Sequence, residues 1–247
     1  MSSNASRSTI IASVFLALGL IIAAYLLGTR FKTIGDNHQQ ISVKGLAEKS
    51  VKADAAQWTV GVKVHANTYA QALEQLRQAR PVLDEFLNAQ GFPRETWTEG
   101  PELIAPHMVD DPTSERYRQI QQGFNGTQSI RIETEVLDKV GAAYKAIVQI
   151  AADGAVTYRA PEYTIKDLEN IKMSLIGDAT KNAHTRAAEF AKEGGVKVGA
   201  MRSASQGAFY ILAADGNEGA DDYGGSIDTT TINKRARVVV TIVYGID

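Results

Sequence analysis

The chain has no cysteine, and that absence removes several chemistries at once. It can form no disulfide, build no thiolate metal site and carry no cysteine nucleophile. Histidine is also scarce. The four histidines are His38, His65, His107 and His184, and none stands at a metal-ligand spacing from another histidine or from a glutamate. Excess charge is missing too. The formal net charge is −2, with 26 Lys and Arg against 28 Asp and Glu, so no basic surplus points to nucleic acid. Setting aside the three positive charges Arg7, Arg30 and Lys32 leaves the portion after residue 32 near −5, mildly acidic. No Gly-x-Ser-x-Gly elbow occurs. The Gly194–Gly199 run follows a helix pattern rather than a strand and has the wrong spacing for a phosphate loop.

One long hydrophobic run is present. Ile10 to Leu27 reads IIASVFLALGLIIAAYLL, and no charged residue lies between Arg7 and Arg30. As a helix, this run would span about 27 Å, close to the thickness of a bilayer's hydrocarbon core. It predicts an uncleaved signal anchor within residues 1–32, held in a bacterial inner membrane with the C-terminal domain in the periplasm. A cleaved signal and a periplasmic product form the competing reading. The sequence after Leu26-Leu27 makes a poor small-x-small cleavage site. Residues 33–40 read as a short polar linker.

The remainder, 41–247, alternates between the two periodicities of folded elements. Leu168, Ile171, Leu175, Ala179, Ala183, Ala187 and Ala191 recur every three or four residues, the period of one helix face. A stripe of alanines lets such a helix lie close against a sheet. A second helix is predicted from Tyr69 to Ala89, capped by Asn67 or Thr68, stopped at Gly91, and kinked or split by Pro81. A third is predicted to be capped by Asp138. Strands are predicted at 41–45 and 51–64, joined as a hairpin with a bulge between Ala55 and Trp58. Others are predicted at 96–108, where Pro101 and Pro106 make an edge or an interruption, and at 126–137, 156–165, 198–206 and 234–244. The order β-β-α-β-β-α-β-α-β-β predicts an α+β fold, mainly antiparallel sheet packed by helices, behind an N-terminal transmembrane helix. Residues 41–125 and 126–247 form candidate sub-domains.

Few residues suggest chemistry. Glu133 and Glu135 stand two apart on one strand and could share acid–base work, but Arg131 accompanies them on the polar face, which reads as solvated. Asp215, Asn217, Gly219 and Asp221 begin like a calcium loop. The sixth position is Ala220 and the twelfth Ser226, so the EF-hand pattern fails and 215–228 reads as an acidic, glycine-rich loop. Lys234, Arg235 and Arg237 at the start of the last strand read as protection of a sheet edge. Trp58 and Trp97 read as core packing or as interface anchors. No catalytic, cofactor-binding or metal-ligating residue emerges.

The ordered set of motifs resembles one family. Val43-Lys44-Gly45 leads to Val51-x-Ala53-Asp54-x-Ala56 and then to Val60-x-Val62-x-Val64. Gly126-Thr127-Gln128-Ser129-Ile130-x-Ile132 runs into Asp138-Lys139-Val140. The alanine helix closes on Val198-Gly199. Together these resemble the SIMPL-domain family over most of 40–246. The resemblance implies an exported, envelope-associated α+β protein. It also implies ring- or channel-like oligomers and a link to oxidative stress, as among some relatives, and it supplies no catalytic residues. The expectation is therefore a non-enzymatic, self-assembling envelope protein tethered to the inner membrane through Ile10 to Leu27, a homo-oligomer with no nucleic-acid partner and no cofactor. The alternative is a monomeric binding module for a small ligand or an envelope partner.

Overall fold

A computed structural model of the chain describes residues 16–26, 39–111, 118–216 and 226–247. Helix α1 covers 16–26, eleven residues of the apolar run. Among the described residues no helix is long and apolar enough to cross a membrane. Residues 10–15 and 27 of the expected anchor, and 33–38 of the linker, lie outside the described set.

Beyond α1 the elements are β1 (Gln40–Lys52), β2 (Ala55–Ala66), α2 (Tyr69–Ala89), β3 (Trp97–Glu99), β4 (Leu103–Asp110) and β5 (Gln119–Thr134). They continue with α3 (Leu137–Ala146), β6 (Val156–Tyr158), β7 (Glu162–Thr164), α4 (Leu168–Glu193), β8 (Val198–Ala213) and β9 (Asn233–Ile246). The fold is α+β. Two sheets form, a three-stranded one in the order β1-β9-β8 and a six-stranded one built on β3-β5-β2-β6, with β4 paired to β5 and β7 to β2. Every pairing within the larger sheet is antiparallel. Contacts divide the chain into two compact units: Met1–Ala47, Ser174–Gly207 and Val238–Asp247 in one, Glu48–Met173 and Ala208–Arg237 in the other. Each draws on both halves of the sequence.

The second unit is built on β2. Its register with β5 runs unbroken from Ala56 opposite Thr134 to Ala66 opposite Phe124, so the bulge expected near Ala55 does not form. Alternation then gives the sheet one dry face. Trp58, Val60, Val62, Ile130 and Ile132 are buried there with Leu76, Leu83 and Leu87 of α2 and Val140 and Ala143 of α3. Burying each large side chain of this kind contributes about 1.5–3 kcal/mol. The Trp58 indole N–H donates to the Arg159 carbonyl at 2.9 Å, so its one polar atom is satisfied inside the core.

Thr68 caps α2, its hydroxyl accepting from the Gln71 N–H at 3.3 Å. The helix runs unbroken through Pro81 rather than in two pieces. Pro81 and Arg77, whose carbonyl loses its helical donor, both face solvent, where water can replace the missing bond. Pro101 does interrupt its strand: β3 ends at Glu99 and β4 begins at Leu103. Pro106 sits where the β4–β5 register shifts. Arg80 is buried on α2. It pairs with Asp84 at 2.5 Å and Glu99 at 3.1 Å, with the Trp97 ring 6.0 Å from its guanidinium, and so ties the helix to β3.

The expected hairpin is overturned. β1 and β2 follow each other in the chain but lie in different sheets, because β1 pairs with β9 and β2 with β5. Asp54 explains the turn between them: its carboxylate accepts from the Lys166 N–H and its own N–H donates to the Thr164 carbonyl, bonds that a tight hairpin would not leave available.

In the first unit α4 lies on β1 and β9 through the predicted stripe, with Leu175, Ala179, Ala183, Ala187 and Ala191 buried. Gly45 on β1 permits this approach. A Cβ there would stand 2.0 Å from the Ala179 carbonyl oxygen and 2.8 Å from the Ala183 Cβ. Gly45→Ala is therefore expected to destabilise the protein by at least about 1–3 kcal/mol, the usual range for overpacking, in urea unfolding. Gly177→Ala on α4, where a Cβ meets nothing within 4 Å, serves as the control and is expected to be neutral or stabilising by about 0.5–1 kcal/mol.

Candidate functional site

The residues that offer this protein something to do lie on β8. The strand is longer than predicted, 16 residues against nine, and it ends the β1-β9-β8 order. Ala200 to Gly207, eight consecutive residues, are exposed. On an ordinary sheet one face is covered and exposure alternates; here neither face is. The sequence AMRSASQG is small and nearly uncharged, without proline or acid. Its one cation, Arg202, lies by Gly245, where an added Cβ would come within 3.0 Å of Arg202 Nε. A long terminal strand without lysine, proline or acid is the kind of edge to which another strand can add.

The opposite edge of the same sheet is closed. Asn182 Oδ1 accepts from the Leu46 N–H at 3.1 Å, and Arg186 Nη1 donates to the Lys44 carbonyl at 3.1 Å. Two side chains of α4 thus occupy backbone groups of β1 that a partner strand would need. Toward its C-terminal end β8 is also covered: Ile211 bridges to Ile227, with its N–H donating to Ser226 and its carbonyl accepting from Asp228. The open stretch therefore falls in the first part of the strand.

β9 is the central strand, so Lys234, Arg235 and Arg237 do not guard an edge. Lys234 instead is 1% exposed, and its ammonium donates to the Asp228 carbonyl at 2.5 Å and to Asp228 Oδ2 at 3.0 Å. The carboxylate is fully engaged. Oδ1 accepts from the Thr230 N–H at 2.9 Å and its hydroxyl at 2.7 Å. Oδ2 accepts from the Thr231 N–H at 3.3 Å and from the Thr231 hydroxyl. Burial pushes the Asp228 carboxyl up, but the hydrogen bonds from Thr231, Thr230 and Lys234 outweigh it and hold the group well below the usual carboxylate range. The signal in the sequence was Asp228 followed at two and three residues by threonines, the spacing of an Asx turn.

The other sequence candidates build no site. Glu133 and Glu135 do line one depression with Lys166, although β5 ends at Thr134 and Glu135 lies just beyond it. Glu135 pairs with Lys166 at 2.5 Å, and that hydrogen bond lowers its pKa, the opposite of what a proton donor near neutral pH needs. Asn217, Gly219 and Asp221 of the acidic loop, and His38, lie outside the described residues. His184 meets the Tyr244 ring edge-on at 5.7 Å. Among the described residues no group of three or more His, Asp or Glu is placed to hold a metal.

One grouping was invisible in the sequence. His65 and His107 meet at 4.9 Å between ring centroids, joined through Asn125: His65 Nδ1 lies 3.1 Å from Asn125 Oδ1, and Asn125 Nδ2 lies 3.0 Å from His107 Nδ1.

The buried pair yields a prediction. Asp228→Ala leaves the Lys234 ammonium buried and unpaired and should cost about 3–5 kcal/mol, and adding Lys234→Met should recover most of it. Because the folded-state pKa of Asp228 is lowered, its contribution is complete above the ordinary carboxylate pKa and is lost as pH falls below it. Thermal melts between pH 7 and pH 3 should show a falling Tm for the wild type and a shallower fall for the double variant.

With this geometry in place, comparison with known families gives one match and comparison with curated proteins gives none. The SIMPL family, described as "Protein of unknown function (DUF541)", matches residues 41–243, from the start of β1 nearly to the end of β9. That match covers well over half of the chain, and the protein therefore belongs to the SIMPL family.

Proposed function

We propose that this protein is a non-enzymatic, self-assembling component of the bacterial envelope, tethered to the inner membrane through residues 10–27 with its SIMPL domain in the periplasm. The single observation that carries the assembly is the open edge of β8, where eight exposed residues from Ala200 to Gly207 stand on the terminal strand of a sheet whose other edge is occupied by Asn182 and Arg186. A second copy adding a strand there would extend the sheet through backbone hydrogen bonds, along an edge of mostly small side chains. The tether rests on the uncharged stretch from Ser8 to Thr29, long enough as a helix for a bilayer core.

Full-length protein in a non-ionic detergent is expected to give a defined oligomer at micromolar concentration by native mass spectrometry and light scattering. Ser203→Lys with Ser205→Lys places two charges on the exposed edge and should shift the population to monomer, with the thermal melt changed by less than about 0.5 kcal/mol. A wild-type chain that stays monomeric, or a double variant that assembles as before, sinks the reading. Topology has its own test: trypsin added to intact spheroplasts should digest the C-terminal domain, whereas a protected domain would place it in the cytoplasm.

A further inference from the structure

The six-stranded sheet has a second face, opposite the helices, and at its middle lies a depression of about 580 Å³. Its floor is Gly61 on β2. A Cβ there would stand 2.6 Å from the Gln128 carbonyl oxygen and 3.2 Å from Thr157 Oγ1, so only glycine keeps the floor open. Register places Ser129 of β5 and Thr157 of β6 directly on either side of Gly61, a hydroxyl on each flank.

Three cations surround this floor. Arg131 stands opposite Thr59 on one side of β2, and Arg159 donates its backbone N–H to the Thr59 carbonyl at 3.1 Å on the other. The two arginines therefore share one row across three strands, with Cα atoms about 10 Å apart from the spacing of strands. Lys63 lies on β2 on the far side of Gly61, about 13 Å along the strand from Thr59. All three side chains line the depression and are exposed. None makes an ion pair or a side-chain hydrogen bond with a described residue, although Glu133 stands only two residues from Arg131 on the same face. Other cations of this unit are paired, Arg77 with Glu102, Arg80 with Asp84 and Glu99, Arg94 with Glu99 and Lys166 with Glu135, while Lys49, Lys52 and Lys145 also stand without an ion pair to a described residue but do not gather around one depression. Three unpaired cations ringing two hydroxyls, in a domain of net negative charge, is a local reversal of the protein's sign.

We propose that this depression binds a small soluble polyanion of the phosphate-ester or polyphosphate class. Tetrahedral phosphoryl oxygens accept from guanidinium forks and hydroxyls alike, and the spread of the three cations suits a ligand with more than one anionic group. The lining mixes these cations and hydroxyls with apolar side chains such as Leu103 and Tyr158, and it shares no residue with the β8 edge, so either proposal can fail alone.

The experiment is calorimetric titration of the full-length protein in non-ionic detergent with tripolyphosphate at low salt. Saturable binding is expected, weakened about tenfold or more by Arg131→Gln with Arg159→Gln through loss of charge-assisted hydrogen bonds. Arg131→Lys with Arg159→Lys keeps the charge but loses the forks and should bind with intermediate strength. Lys49→Gln with Lys145→Gln removes the same charge elsewhere and should leave binding unchanged. A matching melt for each variant separates lost binding from lost folding. No saturation at about 1 mM, a binding energy of only ~4 kcal/mol, overturns the proposal. So does an equal loss in the Lys49/Lys145 control. Binding to phosphatidylglycerol–phosphatidylcholine vesicles through Arg131 and Arg159 without binding of tripolyphosphate also overturns it, since the face would then read a lipid surface.

Discussion

The approach of α4 to β1 at Gly45 shapes the three-stranded sheet. A missing Cβ lets the Ala179 and Ala183 backbone come down onto the strand. At that distance Asn182 and Arg186, from the same turns of the helix, reach the Leu46 N–H and the Lys44 carbonyl. One edge of the three-stranded sheet is thereby closed. Among the described residues β8 ends the other side of the sheet, with Ala200 to Gly207 exposed.

The larger sheet divides its labour by face rather than by edge. The unbroken β2–β5 register sends Trp58, Val60, Ile130 and Ile132 to the helices and Thr59, Gly61, Ser129 and Arg131 to the other side. A one-residue slip would exchange these sets, burying an arginine and exposing a tryptophan. The same register that makes the core therefore places the cationic ring around Gly61. Connecting segments complete the depression, Pro101 between β3 and β4 and Arg159 just after β6.

Much of this was legible residue by residue. The alanine stripe of α4, the Thr68 cap, the Gly91 stop and the alternation of Ile130 and Ile132 against Arg131 and Glu133 each follow from a local period or a local hydrogen bond. The α+β class followed from their order. The partner of β1 was not legible, because a hairpin and a crossing to β9 make the same local demands on 41–52. Lys234 at the start of the last strand reads as an edge guard; its burial instead depends on Asp228, whose carboxylate is held by Thr230 and Thr231. The His65–Asn125–His107 bridge joins three strands with no common motif.

The sequence by itself determined which segments are helix and strand, which face of each is apolar, and the kinship of the chain with the SIMPL family, since all of these are written in short-range patterns of residue type and in their order. Tertiary structure decided the rest: which edge stays open, which cation is buried, and which cations gather around Gly61. Those outcomes depend on strand partners and on approaches of a few ångströms between residues more than a hundred positions apart, such as Gly45 and Ala179 or Trp58 and Arg159. No local period carries that information, because the free energy that settles it comes from packing and hydrogen bonds made only once the chain has folded.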